Sequence, residues 1–414
     1  MLDKRLNFIE IEKKILAKWE KEKLFLFKDS DNSKPYTIIM PPPNVTGSLH
    51  MGHALTFTLQ DILIRFNKKL GMNVLWQPGT DHAGIATEIL VEKKLISDKK
   101  KNKNDLGREE FLKQIWEWKE KSGNKIVDQL KKLGTSVDWS ISKFTLDEEC
   151  SNAVKEAFIQ LFNDGYIYQD ERLVNWDPKL QTAISDLEVN QKEVDGSLWF
   201  FKYYIKETDD FIEVATTRPE TMFGDVAIAV HPKNRALKSY IGKKAIIPLT
   251  ERYVHIIADE YADPSKGSGA VKITPAHDFN DFLIAKKHNL NFINIFDKQA
   301  KLNSSVPNKF TGMDRYEARK SIIKVLKENG QLTKIENNKM FIPIGERTGE
   351  VIEPLLTKQW FLDSKKLCNQ VLKSIKKKEI KFHPESWMNT FRHWINNIEP
   401  WCISRQIWWG HRIP

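Results

Sequence analysis

Two histidines, His50 and His53, stand three residues apart in PPPNVTGSLHMGHA (residues 41–54), with Gly52 between them. At the start of a helix, imidazoles with that spacing share one face. Three kinds of chemistry fit. Ring N–H groups beside a helix N-terminus, with a glycine permitting close approach, suit a phosphate and would stabilise charge growing on it during displacement. A metal pair is the second, but it needs a third ligand, and the usual His-Glu-x-x-His pattern is absent. Core packing is the third.

A second group of polar side chains lies in ATTRPETMFGD (215–225) and GSGAVKITPAHDFND (267–281). Arg218 and Thr221 follow a strand-like run. Lys272 and Thr274 are two apart in a β-favouring run, hence on one face. Asp278 and Asp281 are three apart near a helix start. Plainer alternatives stand beside a functional one. Lys272 could be a surface lysine, Asp278 a helix N-cap, and His277 with Asp278 and Asp281 a metal triad for hydrolysis.

These residues need elements to position them. Leu6, Ile9, Ile15, Leu16 and Trp19 give residues 6–27 the spacing of an amphipathic helix. YTIIM (36–40) is short, apolar and β-favouring, a buried strand stopped by three prolines. Leu55, Leu59, Ile62, Leu63, Phe66 and Leu70 then recur at helical spacing, and NVLWQPG (73–79) reads as the next strand. Strand, helix and strand in that order predict a parallel α/β unit, which binds ligands at the carboxyl ends of its strands. Both histidines fall at that edge. The lysine run KKLISDKKKNKND (93–105) reads as a solvated surface loop, and residues 105–170 as mostly helical. From about 195 short β-rich runs split by Gly, Pro and Asp predict an antiparallel barrel or sandwich. A helix is expected at 314–329, and mixed helix and strand from about 350.

The 414 residues suggest two or three domains. Apolar content of 41% and charged content of 29% fit an ordinary globular chain. A net charge of +10 permits an acidic partner without requiring one. Cys150, Cys368 and Cys402 are too scattered for a zinc knuckle or a disulfide framework. The charged N-terminus is neither a signal peptide nor a span, and no apolar run approaches ~18 residues. A cytoplasmic protein with no membrane partner is expected.

PPPNVTGSLHMGHA resembles the first signature of the class I aminoacyl-tRNA synthetases, with His50-Met51-Gly52-His53 in place of the HIGH motif. LWQPGTDHAGIATE (75–88), RLVNWDPKLQTAISDLEV (172–189), the two 215–281 strings and EPWCISRQIWWGHRIP (399–414) are similar to the valine-specific members in particular. The fold implied is α/β: the first half of a Rossmann-type catalytic domain carrying an inserted β-rich editing domain. Residues 1–190 would be the N-terminal helix and first half, 191–345 the editing domain, and 346–414 the return into the catalytic part. The partners implied are valine, tRNA(Val) and ATP, the last a substrate taken with Mg2+. His50 and His53 would hold the ATP phosphate during displacement. Pro43, Asn44 and Gly52 would complete the ATP site, Gly52 by letting the nucleoside lie close. Pro42 and Asn44 would line the valine pocket. Asp81 would bind the valine ammonium, unless it is only a turn residue.

A valine-sized pocket cannot strongly reject threonine. Discrimination of about 100-fold is the established general figure for such pockets, not one drawn from this chain. A second site that hydrolyses threonyl-tRNA(Val) is the remedy, and the resemblance puts Arg218, Thr221, Lys272, Thr274, Asp278 and Asp281 there. Asp281 would take the substrate ammonium; Lys272, Thr274 and Asp278 would serve the hydroxyl and the attacking water.

The sequence also departs from the family pattern. Some relatives hold zinc with cysteines at the base of the insertion. Here Asn175–Leu180 and Phe341–Arg347 contain none, so no structural zinc is expected. The second signature, Lys-Met-Ser-Lys-Ser, is missing. The expectation is therefore the first part of a longer, monomeric enzyme, weak in amino-acid activation alone. Its half-sheet would expose an edge and an apolar face, with Trp401, Trp408 and Trp409 contributing. A free-standing deacylase and a non-catalytic tRNA-binding module remain alternatives. A nucleotidyltransferase of the same superfamily ranks last, because it lacks such an insertion.

Overall fold

The computed structural model describes residues 7–28 and 33–414. It divides into two compact units, one formed by residues up to Asn163 with Ile407–Pro414, the other by Asp164–Gln406.

In the first unit, helix Phe8–Glu22 starts at Asn7, whose side chain accepts from Glu10 N–H. It stops where Lys23 turns left-handed, short of residue 27. Ile9 and Ile15 are exposed on it, Leu16 and Trp19 half-buried, and Leu6 lies outside the described residues. Strands Pro35–Ile39 and Asn73–Gln77 pair in parallel, with Thr37 opposite Leu75, and helix Met51–Lys69 connects them. Met40, Phe57, Ile64, Val74, Trp76, Ile126, Leu130 and Val137 form the core beneath.

Three expectations shift here. The first strand alternates in burial and leaves Ile39 exposed, because it has a single neighbour. Helix Met51–Lys69 buries Phe57 and Ile64, while the apolar row Leu55, Leu59, Ile62, Leu63 and Phe66 faces outward. The lysine run is largely helical: Gly84–Lys99 continues through it and Lys103–Leu106 follows. Lysine is a good helix former, and buried Val91 and Leu95 anchor the other face. Helices Arg108–Leu133 and Glu148–Asn163 account for most of the helical region expected next.

The second unit has three sheets among its described residues. Val189–Tyr204 pairs antiparallel with Leu332–Gly345 and with Phe211–Thr216. A four-stranded sheet runs Lys244–Ile246, Tyr253–Ala258, Ala227–Val230, Ala270–Ile273. It is mixed rather than purely antiparallel, since Tyr253–Ala258 lies parallel to Ala227–Val230. The third sheet joins Ile167–Asp177 to Glu353–Leu362 along ten paired residues, from Trp176 opposite Glu353 to Ile167 opposite Leu362. That ladder draws residues 164–190 and 346–406 into one unit with the β-rich segment. Helix Arg315–Glu328 is capped by Asp314. One large core, including Trp176, Phe201, Tyr203, Phe223 and Phe296, holds the unit together.

Candidate functional site

The first site is built at the carboxyl ends of the parallel strands. Prolines 41–43 have no N–H to donate, so regular pairing stops after Met40. Their carbonyls still accept. Asp81 N–H donates to Pro43 O at 2.9 Å and Val45 N–H to Asp81 O at 3.0 Å. The resulting bridge sets Asn44 beside Asp81. Pro42, Pro43, Asn44, His50, Gly52 and His53 line one cavity of about 560 Å³.

His50 is the N-cap of helix Met51–Lys69. Its Nδ1 accepts from Gly52 N–H at 3.1 Å, while its own backbone N–H donates to His53 Nδ1 at 3.3 Å. With both Nδ1 atoms accepting, each neutral ring carries its proton on Nε2. The ring centroids lie 3.9 Å apart. Two Nε2–H donors thus stand beside a capped helix N-terminus, whose dipole attracts anions. Burial, and then the charge of His50, lowers the pKa of His53. A Cβ at residue 52 would come within 3.0 Å of His50 Cε1 and 3.1 Å of its Nδ1, so Gly52 leaves room for that imidazole itself.

Asp81 Oδ1 accepts from Ala83 N–H at 3.2 Å and from Thr145 Oγ1 at 3.0 Å. Burial pushes its carboxyl up, but the hydrogen bonds from His82, Ala83 and Thr145 prevail and hold it below the ordinary carboxylate range. Ala83 adopts a left-handed backbone with φ 49°, a conformation uncommon for a residue with a side chain. His82 Nδ1 meets Thr145 Oγ1 at 2.6 Å, and the His411 ring stands 5.3 Å from that of His82. Glu88 clamps the last segment: its Oε2 accepts from Trp408 N–H at 2.9 Å and Trp409 N–H at 3.1 Å, and its Oε1 from Lys103 at 2.7 Å.

The expectation for Trp409 is overturned. It is only 2% exposed, donates its indole N–H to His82 O at 2.9 Å, and meets Trp116 edge-to-face. Trp408 is half-buried, and Trp401, at 56%, is exposed as expected.

The second site lies in the β-rich unit. Lys272 is 7% exposed and so no surface lysine. Its ammonium donates to Thr221 Oγ1 at 2.8 Å, to Asp225 Oδ1 at 3.0 Å and to Thr274 Oγ1. Thr274 Oγ1 donates to Asp225 Oδ1 at 2.6 Å, and Tyr203 Oη to Asp225 Oδ2 at 2.6 Å. Burial pushes the Asp225 carboxyl up, against the pull of Lys272, Thr274 and Tyr203. Gly224 is forced by crowding: a Cβ there would stand 3.1 Å from both Ile293 O and Thr274 Cγ2.

Asp281 Oδ2 accepts from Thr274 N–H at 2.8 Å. Burial first, and then the charge of Asp278, raises its carboxyl to about 7. Asp278 is the N-cap of helix Phe279–Lys287, accepting from Asn280 N–H at 2.8 Å and Asp281 N–H at 3.1 Å through Oδ1. His277 accepts from Ile295 N–H through Nε2 at 3.0 Å, and burial lowers its pKa to about 3. It is therefore a neutral core histidine; no metal-binding group of three or more His, Cys, Asp or Glu forms among the described residues.

Four of the six expected residues, Thr221, Lys272, Thr274 and Asp281, thus converge. Arg218 and Asp278 instead line a neighbouring cavity of about 790 Å³. Arg218 pairs with Glu220 at 3.4 Å and with Glu353. Arg319 grips Glu220 through Nε and Nη2, each at 2.7 Å, a two-pronged geometry that strengthens a charged hydrogen bond. Arg315 reaches Glu353 at 2.9 Å.

Comparison with known proteins settles the family. A family described as tRNA synthetases class I (I, L, M and V) matches residues 14–414. The chain belongs to the class I tRNA synthetases. It is 50% identical over 434 residues to a valine–tRNA ligase of Caulobacter vibrioides, covering 100% of this chain and 48% of that protein. It is 52% identical over 405 residues to one of Pelagibacter ubique, covering 98% of this chain and 46% of that protein. The chain spans about half the length of the curated relatives it matches. Among solved structures, a leucyl-tRNA synthetase–tRNA ternary complex of Agrobacterium radiobacter K84 overlaps 80% of this chain and 48% of its own. At a TM-score of 0.40 and 18% identity that overlap carries no argument.

In this synthetase chain, sequence reading missed Tyr203, Asp225, Glu220, Glu353, Glu88, Thr145 and His82 as site partners. Asp225 and Glu220 sat inside a quoted string, in a run rich in polar residues. Tyr203 carried no signal, since a tyrosine in an aromatic strand reads as core.

Proposed function

We propose that the chain forms part of a valine–tRNA ligase, with valine, tRNA(Val) and ATP with Mg2+ as its ligands. The observation that carries the reading is the single cavity holding Pro42, Pro43, Asn44, His50, Gly52 and His53, with two Nε2–H donors beside a helix N-terminus. His50 and His53 bind the ATP phosphate that the valine carboxylate attacks, and steady the charge that builds there. The ionised carboxylate of Asp81 takes the valine ammonium. Identity of about half to proteins named valine–tRNA ligase supports the choice of amino acid.

Residues 1–190 and 346–414 serve the activation half in this proposal, and residues 191–345 hydrolyse threonyl-tRNA(Val). Asp281 holds the substrate ammonium, Lys272, Thr274 and Thr221 face its hydroxyl, and Asp278 and Arg218 border the approach. No zinc is assigned to the base of the β-rich segment. There Asp177 accepts from Thr348 Oγ1 at 2.6 Å and caps Lys179 and Leu180 N–H. The enzyme proposed is monomeric and cytoplasmic.

The test is valine-dependent ATP–pyrophosphate exchange by the intact gene product. Replacing His50 and His53 with alanine is expected to slow it by ~10²–10³-fold or more, the range for removing one donor to developing charge. Exchange at the unaltered rate would overturn the reading.

A further inference from the structure

We propose that Thr145 and His82 are positioning residues of the amino-acid site: together they occupy one oxygen of Asp81 and leave the other, Oδ2, fixed as the acceptor for the valine ammonium. The proposal deepens the reading of Asp81 and rests on it. Asp81 Oδ1 and Thr145 Oγ1 stand 3.0 Å apart. An ionised carboxylate can only accept, so the Thr145 hydroxyl donates its single proton there. The contact of His82 Nδ1 with Thr145 Oγ1 at 2.6 Å then has the ring as donor. His82 carries a proton on Nδ1, where His50 and His53 have a bare acceptor.

Thr145 Oγ1 also accepts from His82 N–H at 2.9 Å. One proton given and two lone pairs filled exhaust a hydroxyl, so this one has nowhere else to turn. The Thr145 backbone is held as well, its N–H donating to Thr80 O at 3.1 Å. His82 is held in turn, its carbonyl accepting from Thr87 Oγ1 at 2.7 Å and Trp409 Nε1 at 2.9 Å. The hydrogen bonds to the Asp81 side chain among the described residues end on Oδ1, from Thr145 and from Ala83 N–H at 3.2 Å. His82 Nδ1 lies 3.3 Å from that same oxygen. Rotation of the carboxylate would break this set. The ammonium therefore meets an acceptor already in place, and no ordering of the carboxylate is left to binding. Neither Thr145 nor His82 touches valine in this scheme; both act through Asp81.

The experiment measures pyrophosphate exchange by the intact gene product against valine and against ATP, with two competing probes. Valinol keeps the ammonium and lacks the carboxylate; isovalerate keeps the carboxylate and lacks the ammonium. Thr145→Val preserves shape and removes the hydroxyl. It is expected to raise the valine KM and the valinol inhibition constant about tenfold or more, the scale of one hydrogen bond to a charged group. The ATP KM and the isovalerate constant should stay where they are. Thr145→Ser should restore valine and valinol binding. His82→Leu should repeat the loss, and His82→Asn, whose Nδ2–H can stand in for Nδ1–H, should reverse it. A valine KM unmoved in Thr145→Val, or a loss shared equally by valinol and isovalerate, would overturn the proposal. If Thr145→Val does not fold, His82→Leu against His82→Asn decides on the same terms. Asp81→Asn tests the reading beneath: a valinol constant unaffected by that change would remove Asp81 from the ammonium site altogether.

Discussion

The histidine site and the lysine site solve opposite problems. His50 and His53 are neighbours in sequence on one helix end, their Nδ1 atoms engaged locally and their Nε2–H atoms left for a ligand. Lys272 with Thr274, Thr221 with Asp225, and Tyr203 come from three separate segments and satisfy one another in a dry interior. An exposed donor pair costs little to form and waits for charge. A buried ionic cluster is expensive to disturb, because each member is the solvent of the others.

The sharpest way to break that contrast is to remove one side chain from each. Lys272→Met strands Asp225, whose side chain is 0% exposed, without its counter-ion. The expected loss is ~3–5 kcal/mol of stability, as for other broken buried pairs. His53→Ala removes a half-buried ring that accepts from one exposed N–H and meets the His50 and Phe57 rings, and should cost about 1 kcal/mol. Urea unfolding of both variants checks the pair. Equal losses would show that the two sites are not built differently.

The same contrast explains what the sequence could reveal. The histidine site was legible because its parts are close together: a proline stop, a glycine and two imidazoles within residues 41–54. Parallel strands on either side of the helix followed from periodicity, as did the location of the site at their carboxyl ends. The exposure of Leu55, Leu59, Ile62 and Phe66 did not, since helical spacing identifies an apolar face without saying what covers it. Lys272 and Thr274 could be placed on one strand face, but Tyr203 belongs to another sheet and Asp225 to the turn before Ala227–Val230, so only tertiary packing joins them. Nor could spacing separate Arg218 from Thr221. They are three apart, yet one turns to Glu353 and the other to Lys272. Trp409 read as exposed because its partners, Glu88 and Trp116, lie far earlier in the chain.

Proton binding sharpens the comparison next. Asp281 has a folded pKa of about 7 against an ordinary value of 3.8, so the folded chain holds that proton more tightly. Its contribution to stability is full below about 3.8 and is lost as pH rises through about 7. Asp281→Asn keeps the acceptor for Thr274 N–H and never ionises. Its Tm relative to the unaltered chain should therefore rise between pH 5 and pH 8, by about two degrees or more. If Asp281 takes the substrate ammonium, hydrolysis by the unaltered chain should increase through the same window. A Tm difference flat with pH would remove Asp281 from the titrating groups.

At the histidine site a smaller effect separates capping from chemistry. His50 is the N-cap of its helix. His50→Ala loses that cap, at a cost of about 1 kcal/mol. His50→Asn supplies another capping side chain and should recover most of it. Neither should recover pyrophosphate exchange, because the Nε2–H is gone in both. Recovery of exchange by asparagine would mean that His50 serves only the helix.

Gly52→Ala gives the smallest change in stability and the cleanest reading of the site. Alanine favours the helix by about 1 kcal/mol over glycine. Against this, the new Cβ would stand 3.0 Å and 3.1 Å from two atoms of the His50 ring. An imidazole on a single bond can swing aside, so the two effects should nearly cancel and Tm should move by little. The swing has a consequence elsewhere: it breaks the Gly52 N–H to Nδ1 bond and frees the ring to reverse its tautomer. The His50 ring resonances should therefore shift in the NMR spectrum, and valine-dependent exchange should fall even though the fold is intact. A variant with unmoved resonances and full exchange would show that Gly52 does not hold the imidazole, and that the two donors face the cavity for some other reason.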